Sequence, residues 1–229
     1  MKKVAILQSN YIPWKGYFDI INSVDTFVIY DEVQYTKNDW RNRNIIKTPT
    51  GPTWLTIPVR QVSLEQKIFE AKTTLKNWNV KHWNSIKGAY SKAPYFKENE
   101  TYFRDIYFSI ETENLSEINL IFIRAINKLL GITTEIIDSR TLNLDGDKNK
   151  RLVQAVSKLS GTVYVSGPSA KNYLDETIFN KADIQVEWMD YSKYTEYPQL
   201  HPPFVHGVSI LDLIFNVGTD FFFKSCKQQ

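Results

Sequence analysis

The residues best equipped to hold a charged small molecule are crowded into one short stretch. Lys37-Asn38-Asp39-Trp40-Arg41-Asn42-Arg43-Asn44, followed by Lys47, places four basic side chains within eleven positions and interleaves them with an indole and three asparagines. Guanidinium forks bind carboxylate and phosphate groups in bidentate fashion, and asparagine both donates and accepts. This chemistry suits a phosphorylated, sugar-bearing small molecule; a basic loop with Arg–Asp surface pairs is the plainer alternative. Just upstream, Asp31-Glu32 offers two carboxylates for a hydroxyl, an amine or a metal, or simply a solvated strand end. His82 sits among Trp78, Ile86 and Ala89 at helical spacing. It reads either as a core histidine or, because imidazole titrates near neutral pH, as a general base.

Other candidates lie further along. Gly16 falls inside a helix start, where glycine costs ~1 kcal/mol relative to alanine; close approach of a ligand or a neighbouring element would explain it. The exposed amides of that helix's N-terminus are a candidate anion site. Ser166-Gly167-Pro168-Ser169-Ala170-Lys171 reads as strand, glycine turn and helix start. Its amides and the Ser169 hydroxyl would face an incoming anion, although a Gly-Pro turn with a serine cap has the same composition. Asp212 lies in an apolar helix, where an unpaired carboxylate is costly. Its expected partner is an Arg or Lys of the basic stretch, or else a local capping arrangement with Ser209. Gln199 belongs to a Pro-rich, His-bearing loop that runs to Gly207. Asp145-Gly146-Asp147 spells the Asp-x-Asp of metal-dependent glycosyltransferases, but it directly precedes a Lys- and Arg-rich helix and reads better as a turn with Asp147 capping.

Several chemistries drop out. The chain has no GxxxxGK[ST], GxGxxG, HExxH or GxSxG pattern. Three scattered histidines and one cysteine, Cys226, make no transition-metal set and no disulfide framework. The balance of 28 basic against 25 acidic residues argues against a nucleic-acid partner. The basic N-terminus leads into only four apolar residues before Gln8. A signal peptide needs roughly 7–15 and a membrane helix ~20. A cytoplasmic protein without a membrane span is therefore expected, and no oligomeric state can be read.

The elements that must position these residues follow from periodicity. Val4–Leu7 reads as a buried strand, Trp14 to about Ser23 as a helix with Pro13 in its first turn, and Thr26–Tyr30 as a second strand, together a parallel βαβ unit. Asn44–Lys47 and Trp54–Val59 flank a Thr-Pro-Thr-Gly turn and make a hairpin. The spacing predicts helices over 77–93, 94–109 and 115–130, the last stopped by Gly131. They form a helical insertion at about 75–131. Beyond it come strands at Thr134–Asp138, Thr162–Ser166 and Ile184–Met189, and helices at Lys148–Leu159, Ala170–Lys181, Ser209–Asn216 and Asp220–Cys226. The expectation is a single α/β domain over 1–229 with a mostly parallel, Rossmann-like sheet. Ligands of such sheets sit at the carboxyl ends of the strands, at the switch point.

The segment Gln8-Ser9-Asn10-Tyr11-Ile12-Pro13-Trp14-Lys15-Gly16-Tyr17-Phe18-Asp19 is similar to the Q-P-N-Y-x-P-W-x-G-Y-F-D opening of the WbqC-like family. That family is found in bacterial O-antigen and other surface-polysaccharide gene clusters. Asp31-Glu32-Val33-Gln34-Tyr35, Asn42-Arg43-Asn44 with Ile46-Lys47, Tyr164-Val165-Ser166-Gly167-Pro168-Ser169, Tyr197-Pro198-Gln199 and Ser209–Asn216 resemble its later blocks. Ser9 replaces the usual proline, and His206 has no counterpart in the pattern. The resemblance implies transfer of glycine or another acyl group to an amino sugar, nucleotide-linked or lipid-linked, with ATP or an acyl thioester serving the donor. A non-catalytic sugar-nucleotide-binding partner, or a metal-dependent glycosyltransferase using Asp145 and Asp147, are the alternatives. The placement of Trp14-Lys15-Gly16-Tyr17 after the first strand is similar to the H-x-G-H loop of nucleotidyltransferase-fold enzymes such as pantothenate synthetase, with Trp14 and Tyr17 in place of both histidines. On this reading Asp31 or His82 takes the amine proton. Gln8, Asn10, Tyr11, Trp14, Gly16, Tyr17, Lys37, Arg41, Asn42, Arg43, Lys47, Ser166, Gly167, Ser169, Gln199 and Asp212 hold substrate.

Overall fold

A computed structural model describes residues 1–226. Short, largely continuous apolar runs, buried on both faces in the central strands, build a five-stranded, all-parallel sheet from β1 (Lys3–Leu7), β2 (Thr26–Ile29), β7 (Glu135–Asp138), β8 (Val163–Ser166) and β9 (Gln185–Trp188). The spatial order is β7-β2-β1-β8-β9. Counted by sheet strands alone this is 3-2-1-4-5, the Rossmann order, with the switch point between β1 and β8. Ala5, Phe27, Ile29, Val163 and Val165 point to one face and Val4, Ile6, Val28 and Tyr164 to the other, as the strand period of two requires.

On the second face the sheet is covered by α5 (Lys148–Lys158) and the short α6 (Glu176–Asn180), which supply Leu152, Ala155, Val156 and Phe179. On the first face lie α1 (Lys15–Asn22), α2 (Trp78–Tyr90), α3 (Phe96–Phe108), α4 (Leu115–Leu130), α7 (Ile210–Val217) and α8 (Phe221–Cys226). Their apolar stripes merge with the sheet into one hydrophobic cluster, so the helices at 78–130 share a core with the strands. Between β2 and α2 come an antiparallel hairpin, β3 (Arg43–Thr48) and β4 (Gly51–Thr56), and a two-residue pair, β5 (Val59–Arg60) and β6 (Lys72–Thr73), which the sequence does not announce.

Two local expectations are corrected. The first helix starts at Lys15 with Trp14 as its N-cap, so Pro13 precedes the helix instead of occupying its first turn. The helix expected at Ala170–Lys181 is two pieces: a 3-10 turn over Pro168–Asn172, then α6. Asp175 breaks the run by accepting the Thr177 amide at 3.0 Å and capping α6 itself. No helix among the described residues is long and apolar enough to cross a membrane.

Candidate ligand pocket at the end of the first strand

The chain leaving β1 is held open by its own hydrogen bonds. The Tyr11 amide donates to the Trp40 carbonyl at 2.9 Å, and the Asn119 amide group donates to Ser9 Oγ (3.0 Å) and to the Arg41 carbonyl (2.9 Å). Segments 8–11 and 39–42 are thereby stitched together beside α4. Asn44 Nδ2 donates to the carbonyls of Tyr11 and Ile12, at 2.9 and 3.0 Å, where Ile12 takes φ 34°. On the other side the Ile210 amide donates to the Pro13 carbonyl, and Ser209 pairs with Trp14. What remains between these segments is a cavity of about 280 Å³ lined by Asn10, Pro13, Trp14, Trp40, Asn44 and Gly207. None of these side chains carries a charge. Asn10 Oδ1 has no hydrogen-bond partner among the described residues.

Two indoles and two carboxamides make a neutral, flat-walled pocket. Indole walls take the face of a ring, and the Asn10 carboxamide can read a hydroxyl, while that of Asn44 is held by backbone groups. Arg41 lies beside the pocket, next in sequence to Trp40. Its guanidinium meets Asp39 Oδ2 at 3.1 Å and Gln8 Oε1 at 2.9 Å. Asp39 offsets its charge there, at the carboxyl end of β1, where the switch point places ligands.

A family model for the WbqC-like protein family matches residues 8–222, including every residue that lines this cavity. The chain belongs to the WbqC-like family. It is similar to the uncharacterized protein Rv1507c of Mycobacterium tuberculosis (strain H37Rv), with 46% identity over 231 residues covering all of both chains. No solved structure matches it. The matched family span therefore includes both the Asn10–Trp14 loop and the Arg41 segment.

The remaining sequence candidates of this WbqC-like chain fall into three groups. Gln8, Tyr17 and Asp31 do not line the pocket but tie down the segment that leads into it. The Tyr17 hydroxyl donates to the Gln8 carbonyl at 2.9 Å. Asp31 is buried, accepts from the Ser9 amide at 2.8 Å and from the Ser116 hydroxyl, and so fixes the start of the loop. Burial raises its carboxyl pKa, while Ser116, Ser9 and Arg41 pull it back. The Arg43 guanidinium carbon sits over Trp54, 4.0 Å from the ring centroid, and Trp54 in turn packs on Trp40 with ring centroids 5.3 Å apart.

A second group is structural. Tyr11 is fully buried; its hydroxyl donates to His82 Nδ1 at 2.8 Å and accepts from the Tyr107 hydroxyl at 2.6 Å. The other ring nitrogen of His82 donates to the Thr56 carbonyl at 3.2 Å, which sets the tautomer, since a carbonyl only accepts. Both nitrogens are therefore occupied, and desolvation lowers the pKa to about 4. This is the geometry of a satisfied core histidine. Asn42 donates to the Ile57 carbonyl. Lys47 and Asp212 do not pair directly as expected. Asp212 accepts from the hydroxyls of Tyr90 and Tyr197, each at 2.9 Å, and makes no local cap. The Lys47 ammonium instead donates to Gln199 Oε1 at 3.0 Å and to the Pro203 carbonyl. Gln199 is fully engaged in holding the 199–205 loop, through the Val205 amide and carbonyl. The third group lies apart from the cavity: Lys37 and Ser169 are exposed, Ser166 is buried in β8, and Gly167 has the Tyr191 hydroxyl 3.7 Å from where a Cβ would stand. Asp147 caps α5 through the Lys150 amide, and Asp145 accepts from Gln154 Nε2, so both side chains serve the turn.

Gly16 has an internal explanation. A Cβ there would lie 2.3 Å from Cζ2 of Trp14, whose indole folds back over the helix start and packs on Tyr191 and Tyr194. The first turn of α1 is buried, so its amides do not face solvent as the anion-site expectation required. Gly16→Ala should therefore cost about 1–3 kcal/mol through overpacking despite its better helix propensity, and should also displace the pocket wall. Urea denaturation checks the first effect; an unchanged midpoint would show that Trp14 yields freely.

Trp40 enters the sequence reading as the indole within the basic stretch, whereas Pro13, Trp54 and Gly207 carry no site role in it. The structure shows Trp54 on a hairpin strand with exposed neighbours, packed on Trp40 and not on the core.

Proposed function

We propose that the protein forms an amide on the amine of an amino sugar, with the sugar ring seated between Trp14 and Trp40. The observation that carries this reading is the neutral, aromatic, carboxamide-bearing pocket at the carboxyl end of β1. A sugar offers an apolar ring face to the indoles and hydroxyls to Asn10, whereas a phosphate or carboxylate would find no charged partner inside. The phosphate that links such a sugar to its carrier belongs outside the pocket, past the Trp40 rim.

In the reaction the amine nitrogen forms a C–N bond to the acyl carbon. The bond from that carbon to the donor's leaving group breaks, and the departing group takes the surplus amine proton. That group is the thiol of a thioester, or the phosphate of an acyl phosphate that glycine forms by taking the terminal phosphoryl group of ATP with release of ADP. Holding amine and acyl carbon in contact supplies ~7–11 kcal/mol in favourable cases, so no strong base is required of the protein. Asp31 then acts by fixing Ser9 and the loop, and His82 by anchoring Tyr11.

The occupied nitrogens of His82 and the engaged carboxylate of Asp31 favour a second reading, a sugar-binding partner that turns nothing over. Mass spectrometry separates the two. Wild-type protein with UDP-glucosamine and either glycine plus ATP or acetyl coenzyme A should yield the amide, seen as the corresponding mass gain. Saturable binding of the amino sugar with no mass gain from any donor would favour the binding partner.

A further inference from the structure

The pocket is too small for the whole of a carrier-linked sugar. Its volume of about 280 Å³ lies just below the range of ~300–1,000 Å³ that houses complete small ligands, so it takes one ring unit and the rest must extend past the rim. The rim at Trp40 is not bare. Trp40 and Trp54 are 40% and 42% exposed, with ring centroids 5.3 Å apart and planes tilted by 42°. In the hairpin register Arg43 faces Thr56 and Ile45 faces Trp54, which puts Arg43 diagonally beside Trp54 on one face. Its guanidinium carbon sits over the indole, 4.0 Å from the ring centroid, and its buried Nε has no hydrogen-bond partner among the described residues. No carboxylate pairs with Arg43 among the described residues. An arginine preoriented on an aromatic platform, its charge uncompensated, is a receptor for an anion attached to a flat group.

We infer that Trp54 and Arg43 form a second subsite, continuous with the pocket through Trp40, that takes the base and diphosphate of a nucleotide, so that the protein's ligand is a nucleotide-linked sugar and not a lipid-linked one. This rests on the seating of a sugar in the pocket argued above. The exposed aromatic pair favours the nucleotide: a planar base can lie against the exposed indole surface of Trp40 and Trp54, and the diphosphate meets the Arg43 guanidinium. A polyprenyl chain would need a broad apolar surface, while the outward side chains that neighbour Trp54 on its strand, Pro52, Thr53 and Thr56, offer only a small and partly polar area.

The test is calorimetric titration with UDP, GDP, glucosamine 1-phosphate and UDP-glucosamine, and flotation with vesicles containing undecaprenyl phosphate. A nucleoside diphosphate should bind the wild-type chain, and Trp54→Ala should weaken it by about tenfold or more, the usual consequence of losing a base-stacking partner. Trp54→Phe should restore most of the affinity, and Arg43→Gln should weaken UDP and UDP-glucosamine alike. Glucosamine 1-phosphate should be much less sensitive to Trp54→Ala, because its ring is held by Trp14 and Trp40. Absence of nucleotide binding, nucleotide affinity indifferent to Trp54→Ala in a folded protein, or capture by undecaprenyl phosphate vesicles alone would overturn the subsite. Glucosamine 1-phosphate binding that survives in any of those cases would leave the pocket reading standing, and its loss with intact UDP binding would overturn the pocket while sparing the subsite.

Discussion

Asp212→Ala should lower the stability of the protein by about 3–5 kcal/mol, the range expected when one member of a buried polar cluster is removed and its partners are left. The side chain is fully buried. It accepts hydrogen bonds from Tyr90 and Tyr197, and Tyr90 also accepts the Lys47 amide at 2.9 Å. The Lys47 ammonium is buried in the same cluster and favours the carboxylate electrostatically, while burial alone raises its pKa. Alanine would strand two hydroxyl donors and leave the Lys47 charge uncompensated. The cluster joins β3, α2, α7 and the 199–205 loop, so the loss should appear as a fall in the urea midpoint and not as local loosening. With total stabilities of ~5–15 kcal/mol, much of the native population is at stake. Asp212→Asn, which keeps one acceptor, should fall between wild type and alanine. A change under about 1 kcal/mol for Asp212→Ala would mean that the tyrosines find other partners.

His82 should stay neutral down to about pH 4, and the protein should lose stability on acidification because of it. Its folded pKa is about 4 against 6.5 for the free ring, a depressed value caused first by desolvation. A depressed pKa means the contribution is present in full above pH 6.5. It is lost as pH falls from there through 4, where the unfolded chain binds the proton first. Two and a half pH units correspond to about 3 kcal/mol. Asp31 and Asp212 work in the opposite sense, because their carboxyl pKa values are raised; stability from them is greatest below the ordinary carboxylate range and falls as pH rises. Comparing the pH dependence of wild type with that of His82→Gln isolates the histidine, and NMR follows its ring directly. A His82 imidazole that titrates near 6.5 in the folded protein would contradict the buried Tyr11–His82–Thr56 chain and return the ring to consideration as a base.

Much of this architecture is legible in local patterns. Val4–Leu7 and Thr26–Ile29 are short β-branched runs separated by one helix, which dictates parallel pairing, and Gly131 takes the left-handed φ of 71° expected of a helix stop. What escapes the sequence is tertiary. The basic cluster at 37–47 looks like one ligand-binding surface, yet strand alternation and loop packing send its members to different places. Lys37 goes to solvent, Lys47 under the 199–205 loop, and Asn42 onto a backbone carbonyl, leaving Arg41 and Arg43 near the pocket. Gly16 looks like a position kept open for a ligand, while the group that fills it is Trp14 two residues earlier. Asp212 needed a partner, and desolvation physics alone could not say that two tyrosines from distant segments would supply it.

The central claim is that an amino sugar is acylated while held against Trp40, and one assay addresses it most directly: amide formation on UDP-glucosamine by wild type and by Trp40→Ala, followed by mass spectrometry with melting temperatures measured alongside. Because Trp40 is 40% exposed, alanine there should leave the melting temperature nearly unchanged. The account predicts a wild-type product and at least a tenfold loss of kcat/KM in the variant. Equal product from both proteins would show that the chemistry takes place elsewhere on the molecule.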